Sequence, residues 1–374
     1  MPNPQSKLLI NLSFLISKPT GLAIYAKNLF PHLKSLNPTL LTAEKFPNSN
    51  CYQIPANLTP EQGTKGHINR LLWTQTKLPK IYKQLKSNLL FSPIPEAPLF
   101  AGCRYIITVH DLIALRFPRR FDPLTPYHRY YIPQVLRQAQ HVICDSESTA
   151  KDIANFCKIS PNLITPIFPG YDTSFFRFLD LPTSNYFLYI GRHNPYKNLQ
   201  RVVAAFAALH HNSEYELWIA GSEDKRYTPL LKAQVQELGL FDRVKFLDYI
   251  PAADLPKVIN QAIGLVFPSL WEGFGLPVLE AMACGCPVVA SDTPALVEVL
   301  DGAGLHAPVG DHAAFAKALL HLRESGVRDG LRQKGLLRSR HFSWDRTAAA
   351  TLQVYREAAE AARMAAGKLS GGSR

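Results

Sequence analysis

The sequence predicts an α/β protein of two domains, and three observations carry that expectation. The chain has 374 residues, 47% hydrophobic and 19% charged, enough for two ordinary cores and too apolar for a disordered chain. Apolar runs at 8–14 and 186–191 have strand length, and each is followed by a loop and an amphipathic stretch of helical length. Residues 267–291, FPSLWEGFGLPVLEAMACGCPVVAS, read as a strand end, a glycine-containing turn and a short helix with Pro277 in its first turn. Gly285 then stops the helix before a second strand at 288–290.

Composition narrows the class. No apolar run reaches the roughly 18 residues of a membrane span, and the run at 8–16 is interrupted by Asn11 and Ser13. Six cysteines with no C-x-x-C pair read as small buried residues of a reducing compartment, so a cytoplasmic protein is expected. Neither H-E-x-x-H nor an Asp-x-Asp pair occurs, and no metal site is expected. The net charge of +12 is uneven: residues 1–180 hold 20 Lys+Arg against 10 Asp+Glu, hence +10, leaving +2 for the rest. That basic half suits a diphosphate-bearing acceptor, peripheral contact with anionic lipid at the inner membrane face, or general solubility. Without a basic helix or aromatic-interleaved patch, nucleic acid is not an expected partner.

The stretch 267–291 holds the densest chemistry. Gly273 and Gly275 let backbone approach a ligand, and the helix that follows points unpaired N–H groups and its positive dipole end into the same space. Glu272 in the loop and Glu280 about one turn into the helix can face one ligand, and carboxylates suit paired sugar hydroxyls. A lone loop glutamate is usually a solvated charge; here the whole string decides. It resembles the signature of retaining GT-B glycosyltransferases of family 4, bacterial mannosyltransferases among them, in which two glutamates flank a GFGLP-like turn.

The resemblance implies two Rossmann-like domains facing an interdomain cleft, with acceptor bound mainly by the first and donor by the second. It implies transfer of a sugar from a nucleoside-diphosphate donor, with retention, no metal and no separate cofactor, onto a saccharide or lipid-linked acceptor. It also assigns roles: Glu272 to hydroxyls of the donor sugar, the backbone of Gly273, Phe274, Gly275 and Leu276 to sugar and diphosphate, and Glu280 to the ribose.

In chain order, the first strand at 8–14 leads through a loop ending in Gly21 to a helix at 22–36. The resembled family has more glycine in this loop, which here leaves Gly21 as the one candidate for donor contact. Residues 37–75 are polar and rich in Pro and Asn, and are expected to be variable loops. Strands follow at 89–92 and 105–109. The second ends in His110-Asp111, at the carboxyl end of a strand where such sheets bind ligands. TVHDLIALRFP resembles the family's HDL-type motif, which gives His110 a contact near the reacting carbon; Asp111 either orients it or caps the next turn. A helix at 127–139, a strand at 141–144 and a helix at 150–156 complete the first domain, 1–168. PGYD opens a connector at 169–184.

The second domain, 185–344, opens with the strand at 186–191 and the loop GRHNPYKNL. Arg192 and Lys197 lie in that one loop, where a forked guanidinium and a point-like ammonium can share a diphosphate. With Gly191 ahead of them they resemble the family's G-R-x-x-x-x-K-N motif. A helix at 199–209 and strands at 216–221 and 244–247 follow. The loop 248–254, with Tyr249 and Ile250 as candidate contacts, passes the nucleotide base. Some mannosyltransferases of the family carry an acid there to read guanine, where this chain has Pro251, Ala252 and Ala253. After the signature come helices at 292–299 and within 306–322. A last helix is expected at 345–362, which the resemblance implies crosses back to the first domain, and 363–374 is expected as a disordered tail.

General resemblance to mannosyltransferases selects GDP-mannose as donor, with UDP-glucose or another nucleotide hexose as the alternative. A non-catalytic sugar-nucleotide-binding subunit is the alternative of another class. A dehydrogenase is disfavoured, since no G-x-G-x-x-G follows a strand. One oddity crosses the second domain: all 16 asparagines lie at or before Asn260 and no isoleucine follows Ile263, while 20 of 38 alanines fall after 260. Such a break reads as two related genes joined near residue 263.

Overall fold

The computed structural model describes residues 8–16, 21–118, 125–209, 214–247 and 250–371, with backbone alone for 361–371. The chain divides into two compact units, residues 1–170 with 344–374, and residues 171–343. The first unit runs β1 (Leu8–Asn11), α1 (Gly21–Leu29), β2 (Thr39–Thr42), β3 (Asn50–Gln53), α2 (Gly63–Thr76), α3 (Leu78–Gln84), β4 (Leu89–Ser92) and β5 (Tyr105–Val109). It continues with α4 (Ile113–Arg116), α5 (Ile132–Gln138), β6 (His141–Cys144), α6 (Glu147–Cys157) and β7 (Ile164–Pro166).

The second unit runs β8 (Tyr186–Ile190), α7 (Leu199–Ala207), β9 (Glu216–Ala220), α8 (Thr228–Glu237), β10 (Val244–Leu247), α9 (Leu255–Gln261) and β11 (Gly264–Phe267). Then come α10 (Leu276–Ala283), β12 (Val288–Ser291), α11 (Pro294–Leu300), β13 (Leu305–Ala307), α12 (His312–His321) and α13 (Ser325–Ser339). Last is α14 (Trp344–Gly371), which returns to the first unit.

Both sheets are parallel throughout the described residues, in the order β3-β2-β1-β4-β5-β6-β7 and β10-β9-β8-β11-β12-β13. Strands such as LLFS and GLVF are buried on both faces, as helix-covered parallel sheets require. In β1 the alternation divides the chain between two cores: Leu9 faces one, Leu8 and Ile10 the other. α14 lays Trp344, Ala348, Val354 and Tyr355 into the second of these, with Tyr25 and Phe91.

Each order reverses direction once, between β1 and β4 and between β8 and β11. Strands flanking such a point send their following loops apart and leave a crevice at their carboxyl ends. That topology positions everything below.

Several elements differ from expectation. The first helix tightens to a 3-10 turn over Phe30–Leu36, with Pro31 in its first turn, because proline supplies no N–H to continue the α ladder. Residues 37–75 are not a run of loops: they hold β2, β3 and most of α2. Helix α2 escapes a periodicity reading because one of its buried positions is Arg70, 6% exposed and held by two 2.8 Å bonds from Nε and Nη2 to the buried Glu96 carboxylate. Residues 127–131 form a π turn ahead of α5. β13 and α13 were not anticipated. Residues 363–371, expected as a disordered tail, continue α14. The composition break falls between α9 and β11, inside one core: a Cβ on Gly264 would lie 2.4 Å from Leu322 Cδ1.

Candidate functional site

The second unit presents a crevice where the loops after β8 and β11 leave the sheet. Three bonds tie these loops together. Leu270 N donates to Tyr196 O at 2.8 Å, Asn198 Nδ2 donates to Pro268 O at 3.2 Å, and Lys197 Nζ donates to Glu272 Oε1 at 2.5 Å. Asn198 adopts φ +58°, which asparagine tolerates better than most residues, and so ends the turn that lifts Lys197. The ammonium also lies 5.3 Å from the Tyr196 ring centre and 5.2 Å from that of Phe267, contacts that favour a cation. Two residues singled out separately in sequence are thus one ion pair, shielded on both sides: Lys197 and Glu272 side chains are 13% and 10% exposed.

Backbone packs tightly beneath the pair. Gly191 N donates to Ala220 O at 2.9 Å, and a Cβ at Gly221 would fall 2.1 Å from Gly191 O. With φ of +154° and +136° at Gly191 and Gly221, side chains are excluded from this strand edge. Gly275, at φ +123°, is the N-cap of α10, and Gly273 is buried beside it. Leu276 is half-buried at the helix start. The Phe274 ring turns inward, 4% exposed and 5.8 Å edge-on to Phe342, so only its backbone is available to a ligand. The loop thus offers a helix N-terminus beside a lysine, which suits a diphosphate.

Arg192 is exposed on the same loop, and its carbonyl accepts the Tyr189 hydroxyl at 3.0 Å. The neighbouring His193 is buried against Thr228 Oγ1 at 3.0 Å, and burial lowers its pKa, which makes it a neutral packing residue. Glu280 contrasts with Glu272. It is half-buried, no hydrogen bond or ion pair holds its carboxylate among the described residues, and burial pushes its pKa up to about 8. Ile250 packs against the second unit's core, while Tyr249 lies outside the described residues. A cavity of about 520 Å³ opens at the opposite, amino ends of β8 and β9. On its wall Glu216 is already paired, accepting from Trp218 Nε1 and Lys245 Nζ.

In the first unit, His110 stands at the carboxyl end of β5. Its Nδ1 lies 2.7 Å from Asp145 Oδ2 and its Nε2 lies 3.0 Å from Pro93 O. Asp111 takes the second of its two expected roles: Oδ1 accepts from Ile113 N at 3.0 Å. The residue that orients His110 is therefore Asp145, at the end of β6. The cap of α6 is Ser146, whose Oγ accepts from Thr149 N at 3.0 Å. Gly21 opens α1 with open space around its Cβ position; residues 17–20 before it lie outside the described residues.

Two family models match the chain. Glycosyl transferases group 1 covers residues 172–335 and Glycosyltransferase Family 4 covers 19–175. The O-antigen chain mannosyltransferase B of Escherichia coli is 35% identical over 178 residues, 47% of each chain. RfbU, an O-antigen chain mannosyltransferase of Salmonella typhimurium, is 30% identical over 58% of this chain and 60% of its own. The aligned part thus spans about half to three-fifths of these curated relatives.

Among solved structures, sucrose-phosphate synthase from Thermosynechococcus elongatus superposes with a TM-score of 0.75 at 22% identity, covering 96% of this chain and all of that one. HepE of Anabaena, solved with UDP, gives 0.73 at 17% identity over 94% of this chain. The fold and the paired loops define a class of two-unit Rossmann-like proteins of GT-B type. Within that class the chain belongs to the group 1, family 4 glycosyltransferases.

Proposed function

We propose that the protein transfers a hexose, mannose from GDP-mannose, to a saccharide or lipid-linked acceptor with retention at the anomeric carbon and without a metal. The observation that carries this is the Lys197–Glu272 pair beside the α10 N-terminus, at the switch point of the second sheet. A donor diphosphate competes for the ammonium and frees Glu272 to accept sugar hydroxyls. Glu280, half-buried and with no hydrogen bond or ion pair to its carboxyl among the described residues, supplies a carboxyl group for the ribose diol.

As the bond from the anomeric carbon to the diphosphate oxygen breaks, negative charge gathers on the leaving group. Lys197, Arg192 and the backbone N–H groups of Gly275 and Leu276 at the start of α10 meet it with positive field already in place. The acceptor oxygen bonds the same face of the carbon, and its proton passes to the departing diphosphate, so no separate base is required.

The choice of mannose rests on the two O-antigen mannosyltransferase relatives. HepE was solved with UDP-glucose, which keeps a UDP-hexose as the alternative. Thermal shift against GDP- and UDP-sugars decides between them: a ligand at 100 times its dissociation constant stabilises by about 2.7 kcal/mol. Stabilisation by UDP-glucose and by no GDP ligand overturns the donor chosen here.

Peripheral contact with anionic lipid belongs to the same proposal. No helix among the described residues is long and apolar enough to cross a membrane. Ile68 and Leu72, 50% and 58% exposed, share one face of α2 with exposed Lys65 and Thr76 nearby. Binding to vesicles containing anionic lipid, lost in Ile68→Ser/Leu72→Ser, is the expected result.

A further inference from the structure

We propose that Asp145 is a positioning residue that holds His110 as a doubly protonated imidazolium, so that His110 serves the transfer as a fixed cation and hydrogen-bond donor and never as a proton acceptor. The inference deepens the transferase reading and rests on it.

Both groups facing the ring nitrogens are acceptors: Asp145 Oδ2 at 2.7 Å from Nδ1 and Pro93 O at 3.0 Å from Nε2. A neutral imidazole carries one N–H and one lone pair, so either tautomer would set a lone pair against an oxygen. The imidazolium satisfies both contacts. Asp145 has its own need for that charge. It is 7% exposed, and its Oδ1 has no hydrogen-bond partner among the described residues. Loss of the proton from His110 would leave a buried carboxylate without a counter-charge, which costs far more than the pair contributes.

Burial of His110 opposes ionisation, but the charge and hydrogen bond of Asp145 outweigh it and its pKa is raised. Every element around the ring points the same way. Asp111, next in chain, adds negative potential. On α1, Tyr25 meets the ring edge-on at 4.7 Å and stays a neutral phenol, its pKa raised by burial and then by Asp145. The chain end of β4 supplies the Pro93 carbonyl, and Thr149 of α6 reaches the His110 carbonyl at 3.5 Å.

A buried ion pair gives little stability over apolar residues of equal volume, so packing alone supplies no reason for one at the carboxyl edge of this sheet. A permanently charged donor does. The Nε2–H now held by Pro93 O is the one for which a sugar hydroxyl can compete.

The test reads His110 directly. In protein labelled with ¹⁵N-histidine, its resonances are assigned by their loss in His110→Gln and followed from pH 5 to 9. The wild type is expected to titrate above the ordinary 6.5, and Asp145→Asn to bring the midpoint to or below it. Sugar transfer by Asp145→Asn then falls at least about tenfold between pH 6 and 8, following the protonated fraction, while the wild type falls less and Asp145→Glu recovers part of the loss.

A neutral His110 at pH 7 in the wild type overturns the proposal, and that measurement stands even if Asp145→Asn fails to fold. An unchanged titration in Asp145→Asn, or a shifted titration with no change in the pH profile of transfer, overturns it as well. Should His110 prove cationic while no nucleotide sugar is turned over, the transferase reading falls and the ion-pair assignment remains.

Discussion

Each unit ends its sheet in a shielded cation held by a carboxylate from a neighbouring loop, yet the two pairs differ in what they leave over. His110 has both nitrogens committed, to Asp145 and to Pro93 O, under the edge of Tyr25. Lys197 is bonded to Glu272, with Arg192 exposed on its own loop and Glu280 on the helix beside it, its carboxyl held by no hydrogen bond or ion pair among the described residues. The first pair keeps its carboxylate and fixes a charge, leaving a sugar hydroxyl to compete only for the Nε2–H that Pro93 O accepts. The second is open and can exchange its internal partner for an anion.

The largest effect should come from breaking the open pair. Lys197→Ala is expected to reduce turnover about 100- to 1,000-fold, the roughly 2.7–4 kcal/mol measured elsewhere for a lost transition-state donor. Near-native kcat from a folded Lys197→Ala protein would show that the pair is only structural. Glu280→Ala should act on binding instead. Losing a hydrogen bond between the ribose and this carboxyl, about 0.5–1.5 kcal/mol, weakens nucleotide affinity roughly 2- to 10-fold while kcat at saturating donor changes little. A fall in kcat with unchanged affinity would merge the two glutamates into one role and dissolve the contrast.

Acidity sharpens the comparison further. The Glu280 carboxyl is raised from 4.5 to about 8 by burial, so between those values the folded protein holds a proton that the unfolded chain has released. Stability therefore falls as pH rises from about 4.5 to 8. Glu280→Gln should flatten that decline by several degrees of Tm in unliganded protein, and an equal slope in both proteins would show that Glu280 is not the group concerned. His110 also has a raised pKa; its stabilisation is complete below the ordinary histidine value and lost as pH rises through the folded one. The smallest effect is a control on a residue that belongs to neither pair. Asp311 caps α12 through Ala314 N at 2.9 Å, and Asp311→Ala should cost about 1 kcal/mol in denaturant melts with catalysis unchanged.

The fold was legible wherever a strand was short, apolar and bounded by turn residues: β4, β5, β6 and β10 begin and end where expected. It was illegible where polar residues do structural work. β3 is NCYQ, mostly exposed at the sheet edge, and α2 buries an arginine whose partner is 26 residues away. The same limit applied to the site. Motif spacing located Lys197 and Glu272 separately, but their bond joins residues 75 apart in sequence and depends on β8 and β11 being neighbours. Asp145, 35 residues beyond His110, gave no signal of its own because DSESTA also reads as a helix start. The strand order β4-β5-β6 aligns the ends of β5 and β6 and brings the two residues together.

The return of α14 to the first unit carries a consequence for biosynthesis. Residues 171–343 form a contiguous unit that can condense as soon as it leaves the ribosome. The earlier-made unit must wait for Trp344, Val354 and Tyr355 to cover Tyr25 and Phe91. Vectorial synthesis is thereby inverted: the amino-terminal half is begun first and finished last. A stop codon just before Trp344 should leave the second unit folded and the first a client for chaperones.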